Sequence, residues 1–173
     1  KVLETQAALV SNYGPTQAFW QNSSKQASAE VRAALQESLV DLASHHHRLT
    51  EGSQGAVDFR EAERWYRTYL AWFDDTAQAD EMHYRLAELL FEQGEYPAAA
   101  TEFERIAYER ANHPQAAEAA LSALVAHEKS ADRGNAPDAP GGPTSKSRSA
   151  LKFVETYSNH PKAVVVFRRA AVE

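Results

Sequence analysis

The chain has 173 residues, a formal net charge of −6 and no cysteine. This length suits one domain or one compact repeat array. The excess of acids and the lack of a lysine and arginine block argue against nucleic-acid binding, which needs clustered cations to neutralise phosphates. No apolar run approaches the roughly eighteen residues of a transmembrane helix, and without cysteine there is no disulfide framework. Because the chain starts at Lys1 instead of methionine, we expect it to be part of a longer protein.

The N-terminal segment is predicted to cap a helical stack. It contains a helical pattern, a Gly-Pro turn at Gly14 and the aromatic pair Phe19 and Trp20. A terminal hairpin exposes one apolar face unless another segment covers it. We therefore assign residues 1–27 as an N-terminal capping helix followed by an aromatic turn.

Residues 28–75 are predicted to form a first helical hairpin. Its first helix is expected to begin at Ser28, because serine is a favourable N-cap residue. The expected inward stripe of that helix is Val31, Leu35, Leu39 and Leu42. Trp65 and Trp72 lie off the apolar stripe of the second helix. The favoured interpretation is that both cover a neighbouring helix, and the alternative is an exposed apolar ridge.

Residues 76–112 predict a second hairpin. Gly94 is expected to end its first helix, since glycine most readily adopts the left-handed conformation found at helix C-termini. The connection is so short that the two helices must be antiparallel. The small residues Ala87 and Ala99 are expected to let these helices approach each other closely.

The hairpin pattern recurs along the chain. A shift of 37 residues relates Phe59, Ala62, Tyr66 and Tyr69 to Tyr96, Ala99, Phe103 and Ile106. A shift of 38 residues relates Ala79, Leu86 and Ala87 to Ala117, Leu124 and Val125. The tripeptide Asn-His-Pro at 112–114 returns at 159–161, where proline suits the first turn of a new helix and the histidine is expected to shape the turn. We predict a third repeat over 114–158 with a loop insertion at 129–147, rich in Gly, Pro and Ser, and a further helix within 161–173.

These features resemble a known repeat family. Leu86-Ala87, Gly94, Tyr96, Ala99 and Phe103 fall where the tetratricopeptide repeat (TPR) pattern places its small and large residues. The period near 37 resembles the looser repeats of bacterial cell-envelope TPR proteins, such as outer-membrane assembly lipoproteins. The resemblance implies an all-α fold, a TPR-like α-solenoid of stacked antiparallel hairpins. The residues expected to pack the repeats are Ala62, Tyr66, Leu86, Ala87, Gly94, Tyr96, Ala99, Phe103 and Leu124.

The resemblance also implies a binding groove. In this family the first helices of the hairpins line a concave face that holds an extended or helical segment of a partner. On this chain the corresponding groove residues are Glu81, Tyr84, Glu88, Phe91, Glu92, Ser122, Ala126 and Lys129. The acidic and aromatic residues among them suit a basic segment with an apolar anchor. Glu81 and Glu88 would repel the terminal carboxylate that chaperone-binding TPR domains hold.

The sequence shows no pattern for catalysis or metal binding. The residues His45–His47 are consecutive, so on a helix they point in different directions and cannot converge on one ion. The carboxylates, among them Glu102 and Glu104, alternate with apolar positions and are interpreted as a solvated helix face rather than as a glycosidase acid pair. The chain lacks GxSxG, P-loop, GxGxxG and HExxH motifs. We predict no enzyme activity, no cofactor and no metal.

The preferred function is a non-catalytic protein–protein interaction scaffold within a longer bacterial envelope protein. One alternative is the helical, non-catalytic portion of a larger envelope enzyme, such as a lytic transglycosylase. Another is an oligomerisation module through which the chain pairs with its own copy. The expected partner is another protein, with no nucleic acid and no transmembrane segment. The expected location is the periplasm or the periplasmic face of the outer membrane, and the alternative is the cytoplasm.

Overall fold

The computed structural model describes residues 2–14, 19–22, 24–52, 55–110, 113–134 and 144–170. Every regular element in these ranges is helical, which confirms the predicted all-α class. The helices are α1 (Val2–Tyr13), α2 (Phe19–Asn22), α3 (Lys25–Leu49), α4 (Gly55–Phe73), α5 (Ala79–Glu92), α6 (Tyr96–Glu104), α7 (Ala116–Asp132), α8 (Ser145–Thr156) and α9 (Ala163–Ala170). A π-helical turn at Arg105–Glu109 directly follows α6. None of these described helices has the length and apolar character needed to cross a membrane. The chain divides into two compact units, Lys1–Met82 and His83–Glu173.

In the first unit, α3 packs against both α1 and α4. The N-cap of α3 is Ser24, whose Oγ accepts a hydrogen bond from the Ala27 backbone N–H at 3.2 Å. The predicted cap, Ser28, instead lies inside the helix, because the residues at 25–27 are acceptable in a helix and extend it back to the earlier serine. The core of this unit is formed by Leu35, Leu39, Leu42, Ala43, Ala62, Tyr66, Tyr69 and Phe73.

The two tryptophans of α4 are covered, as the favoured interpretation expected. Trp65 is buried. Trp72 lies against the end of α1, where a Cβ atom added to Gly14 would sit 2.9 Å from the Trp72 ring. Trp20 contacts the same place, since its Nε1 donates to the carbonyl oxygens of Tyr13 and Gly14, each at 2.9 Å. A residue without a side chain at position 14 therefore lets aromatic rings close over the end of α1.

In the second unit, α7 packs against α6, the π-helical turn and α8, and α9 packs against α8. Helices α6 and α7 pack closely, and the buried residues of α7 are nearly all alanine. The part of α5 in this unit contacts α6 through larger side chains, with Tyr84 and Phe103 ring centroids 5.9 Å apart. Ala87 of α5 and Ala99 of α6, the residues expected at a close approach of these two helices, are both fully buried.

One turn recurs before α5, α7 and α9. In each copy, the backbone N–H of the central residue donates a hydrogen bond to the carbonyl oxygen three residues earlier. The carbonyl oxygen of the same residue accepts a hydrogen bond from the N–H of the first residue of the next helix. The central residues are Thr76, His113 and His160, and the first helical residues are Ala79, Ala116 and Ala163. The Nδ1 atoms of the two histidines also accept from a backbone N–H two residues later, each at 3.2 Å. This confirms that these histidines shape the turn.

The pattern of buried residues also repeats, and equivalent buried positions are 37 residues apart along the chain. The buried residues Ala62, Tyr66 and Tyr69 of α4 correspond to the buried Ala99, Phe103 and Ile106, and Ala79, Met82 and Leu86 of α5 correspond to the buried Ala116, Ala119 and Ala123. The predicted shift of 38 between α5 and α7 is therefore wrong by one residue. Because each helical position turns by about 100°, that error predicted burial for Val125, which is 42% exposed, and for Leu124, which is half-buried.

Two predicted boundaries are corrected. Helix α7 continues to Asp132 and α8 begins at Ser145, so the loop expected at 129–147 is shorter at both ends. Residues 135–143 of that loop, and residues 171–173 of the predicted last helix, lie outside the described residues. The boundary between the two units falls inside α5, within the predicted second repeat at 76–112.

Candidate functional site

The second unit contains an open groove along α7, formed by two adjoining cavities. One cavity has a volume of about 420 Å³ and lies between α5 and α7. The other has a volume of about 220 Å³ and lies between α7, α8 and α9. Both cavities are lined by Leu121, Val125 and Lys162, so they form one continuous depression. We call it the α7 groove.

The lining of the α7 groove combines an aliphatic floor with charged and aromatic edges. The larger cavity is lined by Tyr84, Glu88, Phe91, Glu92, Phe103, Glu118, Leu121, Ser122, Val125 and Lys162. The smaller cavity is lined by Leu121, Leu124, Val125, Glu128, Lys146, Ser147, Ala150, Lys162, Val166 and Arg169. The aliphatic residues lie where the two cavities meet and in the smaller one, whereas the aromatic residues belong to the larger one.

Most of the predicted groove residues line the larger cavity, namely Tyr84, Glu88, Phe91, Glu92 and Ser122. The prediction that Ala126 lines the groove is wrong. Ala126 is fully buried, because the 37-residue offset between α5 and α7 directs it into the core. Lys129 is exposed beside the cavity, with its Nζ 5.9 Å from the centroid of the Phe91 ring. Glu81 belongs to the part of α5 that falls in the first unit.

The aromatic edge of the groove is held in place by neighbouring rings. Tyr84 stacks on His113, with ring centroids 5.9 Å apart and planes inclined by 21°. Its other neighbour is Phe103, which meets it edge-on. Phe91 packs against Tyr96 with a centroid distance of 5.3 Å. Because these rings are fixed by packing, they present a prearranged apolar surface, and a partner would lose little additional freedom by ordering them.

Both long sides of the groove carry charged side chains. Glu88 and Glu92 of α5 border the larger cavity. On the other side, Lys162 lies 3.6 Å from Glu118 of α7, and Arg169 forms an ion pair with Glu128 of α7. The α5 wall therefore presents carboxylates, whereas the α9 side presents cations that pair with acids of α7.

Sequence reasoning missed the α9 side of the groove. Leu121, Val125 and Val166 supply aliphatic floor, and Lys162 and Arg169 supply cations, but none was among the predicted groove residues. The sequence could have predicted the α7 part of this side, because Leu121, Val125 and Glu128 follow helical spacing on one face. The approach of α9 depends on packing against α8, which local spacing does not report.

The prediction that Glu102 belongs to a solvated helix face is also wrong, because this residue is buried. Its Oε2 lies 2.8 Å from Nδ1 of the buried His83 and 3.1 Å from Nη1 of Arg105. A buried carboxylate is tolerated when such partners satisfy it. We assign this cluster a structural role in fastening α5 to α6.

The consecutive histidines of the first unit also have local partners. His46 Nδ1 lies 2.8 Å from Asp58 Oδ1, and His47 Nδ1 lies 3.1 Å from the Tyr66 hydroxyl. These contacts join α3 to α4. Within the described residues, no group of three or more histidine and carboxylate side chains is arranged to hold a metal ion.

Comparison of the chain with protein-family models, with curated proteins and with solved structures gives no match.

Proposed function

We propose that the chain is a non-catalytic scaffold whose α7 groove binds a segment of another protein. The observation that carries the proposal is the groove itself, with an aliphatic floor at Leu121, Val125 and Val166 between charged walls. Protein interfaces combine an apolar centre with a polar rim in this way. An amphipathic helix laid in an apolar groove is one of the recurring modes of peptide recognition.

The finer fold we propose is TPR-like, with antiparallel hairpins stacked as a solenoid. The recurring turn before α5, α7 and α9 supports it, as does the 37-residue offset of buried positions, because each repeat of a solenoid contributes equivalent residues to the core. Small-angle X-ray scattering tests the shape. The expected radius of gyration exceeds the roughly 16 Å of a compact chain of this length, and a value at or below it would contradict stacking.

The partner segment is proposed to be basic with an apolar anchor. The anchor would occupy the aliphatic floor, and lysine or arginine would face Glu88 and Glu92. An acidic wall attracts such a segment over long range and rejects anionic ones. Four of the five predicted residues in the larger cavity lie on the α5 wall, which makes that wall the element most directly testable.

A charge-swap experiment tests this proposal. Peptides selected by display against the full chain are measured by fluorescence anisotropy with wild type and with the double variant Glu88→Lys and Glu92→Lys. We expect selected peptides to carry lysine or arginine near an apolar residue, to lose binding to the double variant, and to regain it when their cations are replaced by glutamate.

The matched control is Glu155→Lys, the same charge change at an exposed position of α8. It should leave peptide affinity unchanged. Equal affinity for wild type and the double variant, with circular dichroism showing both folded, would remove the α7 groove as the binding site.

Self-association is a second candidate, since α9 exposes Val164, Val165 and Phe167, which are 61%, 66% and 51% accessible. Apolar patches of this kind often mark association sites. Light scattering over a range of concentrations separates the candidates. A monomer throughout supports the scaffold, whereas a dimer that Phe167→Ser dissociates supports oligomerisation.

A location at the periplasmic face of the bacterial envelope is also proposed, on the family resemblance alone. Fractionation of cells that express the full-length protein checks it. Recovery with the cytoplasmic fraction would contradict the envelope setting while leaving the groove proposal intact.

A further inference from the structure

A separate polar pocket lies in the second unit, between the end of α6, α7 and α8. Its volume is about 260 Å³, and it is lined by Glu104, His127, Ser145, Arg148, Ser149 and Lys152. None of these residues lines the α7 groove. The pocket is thus a second concave site with different chemistry: its walls are hydroxyl, cationic and carboxylate groups.

The most informative residue in this pocket is Ser149. The residue is 3% exposed, and within the described part of the chain its Oγ has no hydrogen-bond partner. The hydroxyl of Tyr108, in the π-helical turn, is likewise buried without a partner among the described residues. Ser149 lies near enough to Glu104 and Tyr108 to influence the pKa of both, although its Oγ does not reach hydrogen-bond geometry with either. Leaving a buried hydroxyl unpaired is costly, and a ligand in the pocket would offer this Oγ a partner.

The α8 wall of the pocket is suited to an anion. Ser145, Arg148, Ser149 and Lys152 occupy one face of the helix at successive turns. Ser145 and Arg148 lie in the first turn of α8, where the helix dipole favours negative charge. Lys152 is held over the Tyr108 ring, with Nζ 3.9 Å from the ring centroid. The adjacent π-helical turn is a rare element that often accompanies functional sites.

Glu104 restricts which anions this site can bind. Its Oε1 lies 3.0 Å from His127 Nε2. That hydrogen bond is the main reason why the pKa of Glu104 is lowered, so the carboxylate stays ionised at neutral pH. An ionised carboxylate only accepts hydrogen bonds. An oxyanion beside it must therefore carry a proton of its own, as hydrogen phosphate does and sulfate does not.

We propose that this pocket binds a protonated phosphate group, either inorganic hydrogen phosphate or the monoanion of a phosphate monoester, with Arg148, Lys152 and Ser149 donating to its oxygens and Glu104 accepting a hydrogen bond from its P–OH group. The site is independent of the α7 groove, so failure of either proposal leaves the other standing.

Isothermal titration calorimetry of the full chain tests the proposal with inorganic phosphate, sulfate and phenyl phosphate at matched ionic strength. The titrations are done at about pH 5.5, below the second pKa near 6 of a phosphate ester, so that both phosphates carry a proton and sulfate does not. We expect saturable binding of phosphate, and sulfate binding weaker by about tenfold or more, because one charge-assisted hydrogen bond is lost. Tighter binding of phenyl phosphate than of inorganic phosphate would identify a monoester as the better ligand. The reverse order would identify the free ion, and both orders support the site.

Variants separate binding from folding. Ser149→Ala should weaken phosphate binding about tenfold without lowering the melting temperature, because it removes an unpaired hydroxyl. Lys152→Ala should weaken binding, whereas Lys146→Ala, the same change on the groove side of α8, should not. Glu104→Gln should abolish the preference for phosphate over sulfate.

The absence of saturable phosphate binding by wild type would overturn the proposal. Equal losses in Lys152→Ala and Lys146→Ala would do the same, as would an unchanged phosphate preference in Glu104→Gln.

Discussion

His113 stacks on Tyr84 with ring centroids 5.9 Å apart, while its Nδ1 accepts a hydrogen bond from the Gln115 backbone N–H at 3.2 Å. One side chain therefore shapes the turn before α7 and supports the aromatic edge of the α7 groove. His160 makes the equivalent turn contact before α9, but its ring meets Phe153 instead. The two histidines share the structural role, and only His113 also supports Tyr84.

This difference makes the two histidines a matched pair for mutation. His113→Ala and His160→Ala should each lower the free energy of unfolding by about 1 kcal/mol, because each loses a turn hydrogen bond and an aromatic contact. His113→Ala should weaken peptide binding in the α7 groove more than His160→Ala, because His113 stacks on Tyr84, whereas His160 lies 3.6 Å from the exposed groove residue Glu118. Urea unfolding and fluorescence anisotropy measure the two effects, and similar binding losses in both variants would contradict the special role of His113.

The glycines that end α5 and α7 form a second matched pair. Gly94 has φ of +80° and Gly134 has φ of +71°. A Cβ at Gly94 would lie 2.3 Å from Nη1 of Arg133, whereas a Cβ at Gly134 meets no atom of the described residues within 4 Å. Gly134→Ala should therefore cost about 1 kcal/mol from the left-handed backbone alone.

Gly94→Ala should cost more than Gly134→Ala, because Arg133 must also move and its hydrogen bond to the Gly94 carbonyl, now 3.0 Å, is disturbed. Thermal melts followed by circular dichroism measure both variants. Equal melting temperatures for the two variants would show that the Arg133 contact does not contribute to the free energy of unfolding.

Glu102 is expected to be the most sensitive carboxylate of the second unit. Glu102→Ala leaves the buried His83 and the half-buried Arg105 without their shared partner, so we expect a loss of about 3 kcal/mol in the free energy of unfolding. Glu109 provides the control, since it lies 3.7 Å from the same arginine but its side chain is 72% exposed. Glu109→Ala should cost less than about 0.5 kcal/mol. Similar losses in urea unfolding would refute the importance of burial at Glu102.

Glu104 should make stability depend on pH in the acid range. Its folded-state pKa lies below the unfolded value of 4.5, chiefly through the His127 hydrogen bond. A lowered carboxyl pKa contributes stability that is present above 4.5 and is lost as the pH falls through the folded pKa. The free energy of unfolding of wild type should therefore drop more steeply below pH 4.5 than that of Glu104→Gln. Parallel curves for the two proteins would contradict the assignment.

The sequence by itself determined the features that depend on neighbouring residues. Helical periodicity predicted the all-α class, the Asn-His-Pro motif predicted the turns before α7 and α9, and Gly94 predicted the left-handed end of α5. These succeed because hydrogen bonds in turns and caps join residues only two to four positions apart. The α5 side of the larger cavity was expected from the family resemblance, which implied Tyr84, Glu88 and Phe91 as groove residues.

Only the tertiary structure decided which side chains meet across longer separations. It paired Glu102 with His83, brought Lys162 and Arg169 to the α7 groove and enclosed Ser149 near Glu104. It also turned Ala126 into the core, because the packing of α7 follows the 37-residue offset and not 38. Each of these outcomes depends on how one helix lies against another, and a change of one residue in that register rotates a side chain by about 100°. Local periodicity leaves that register open, whereas the packed interior selects a single one.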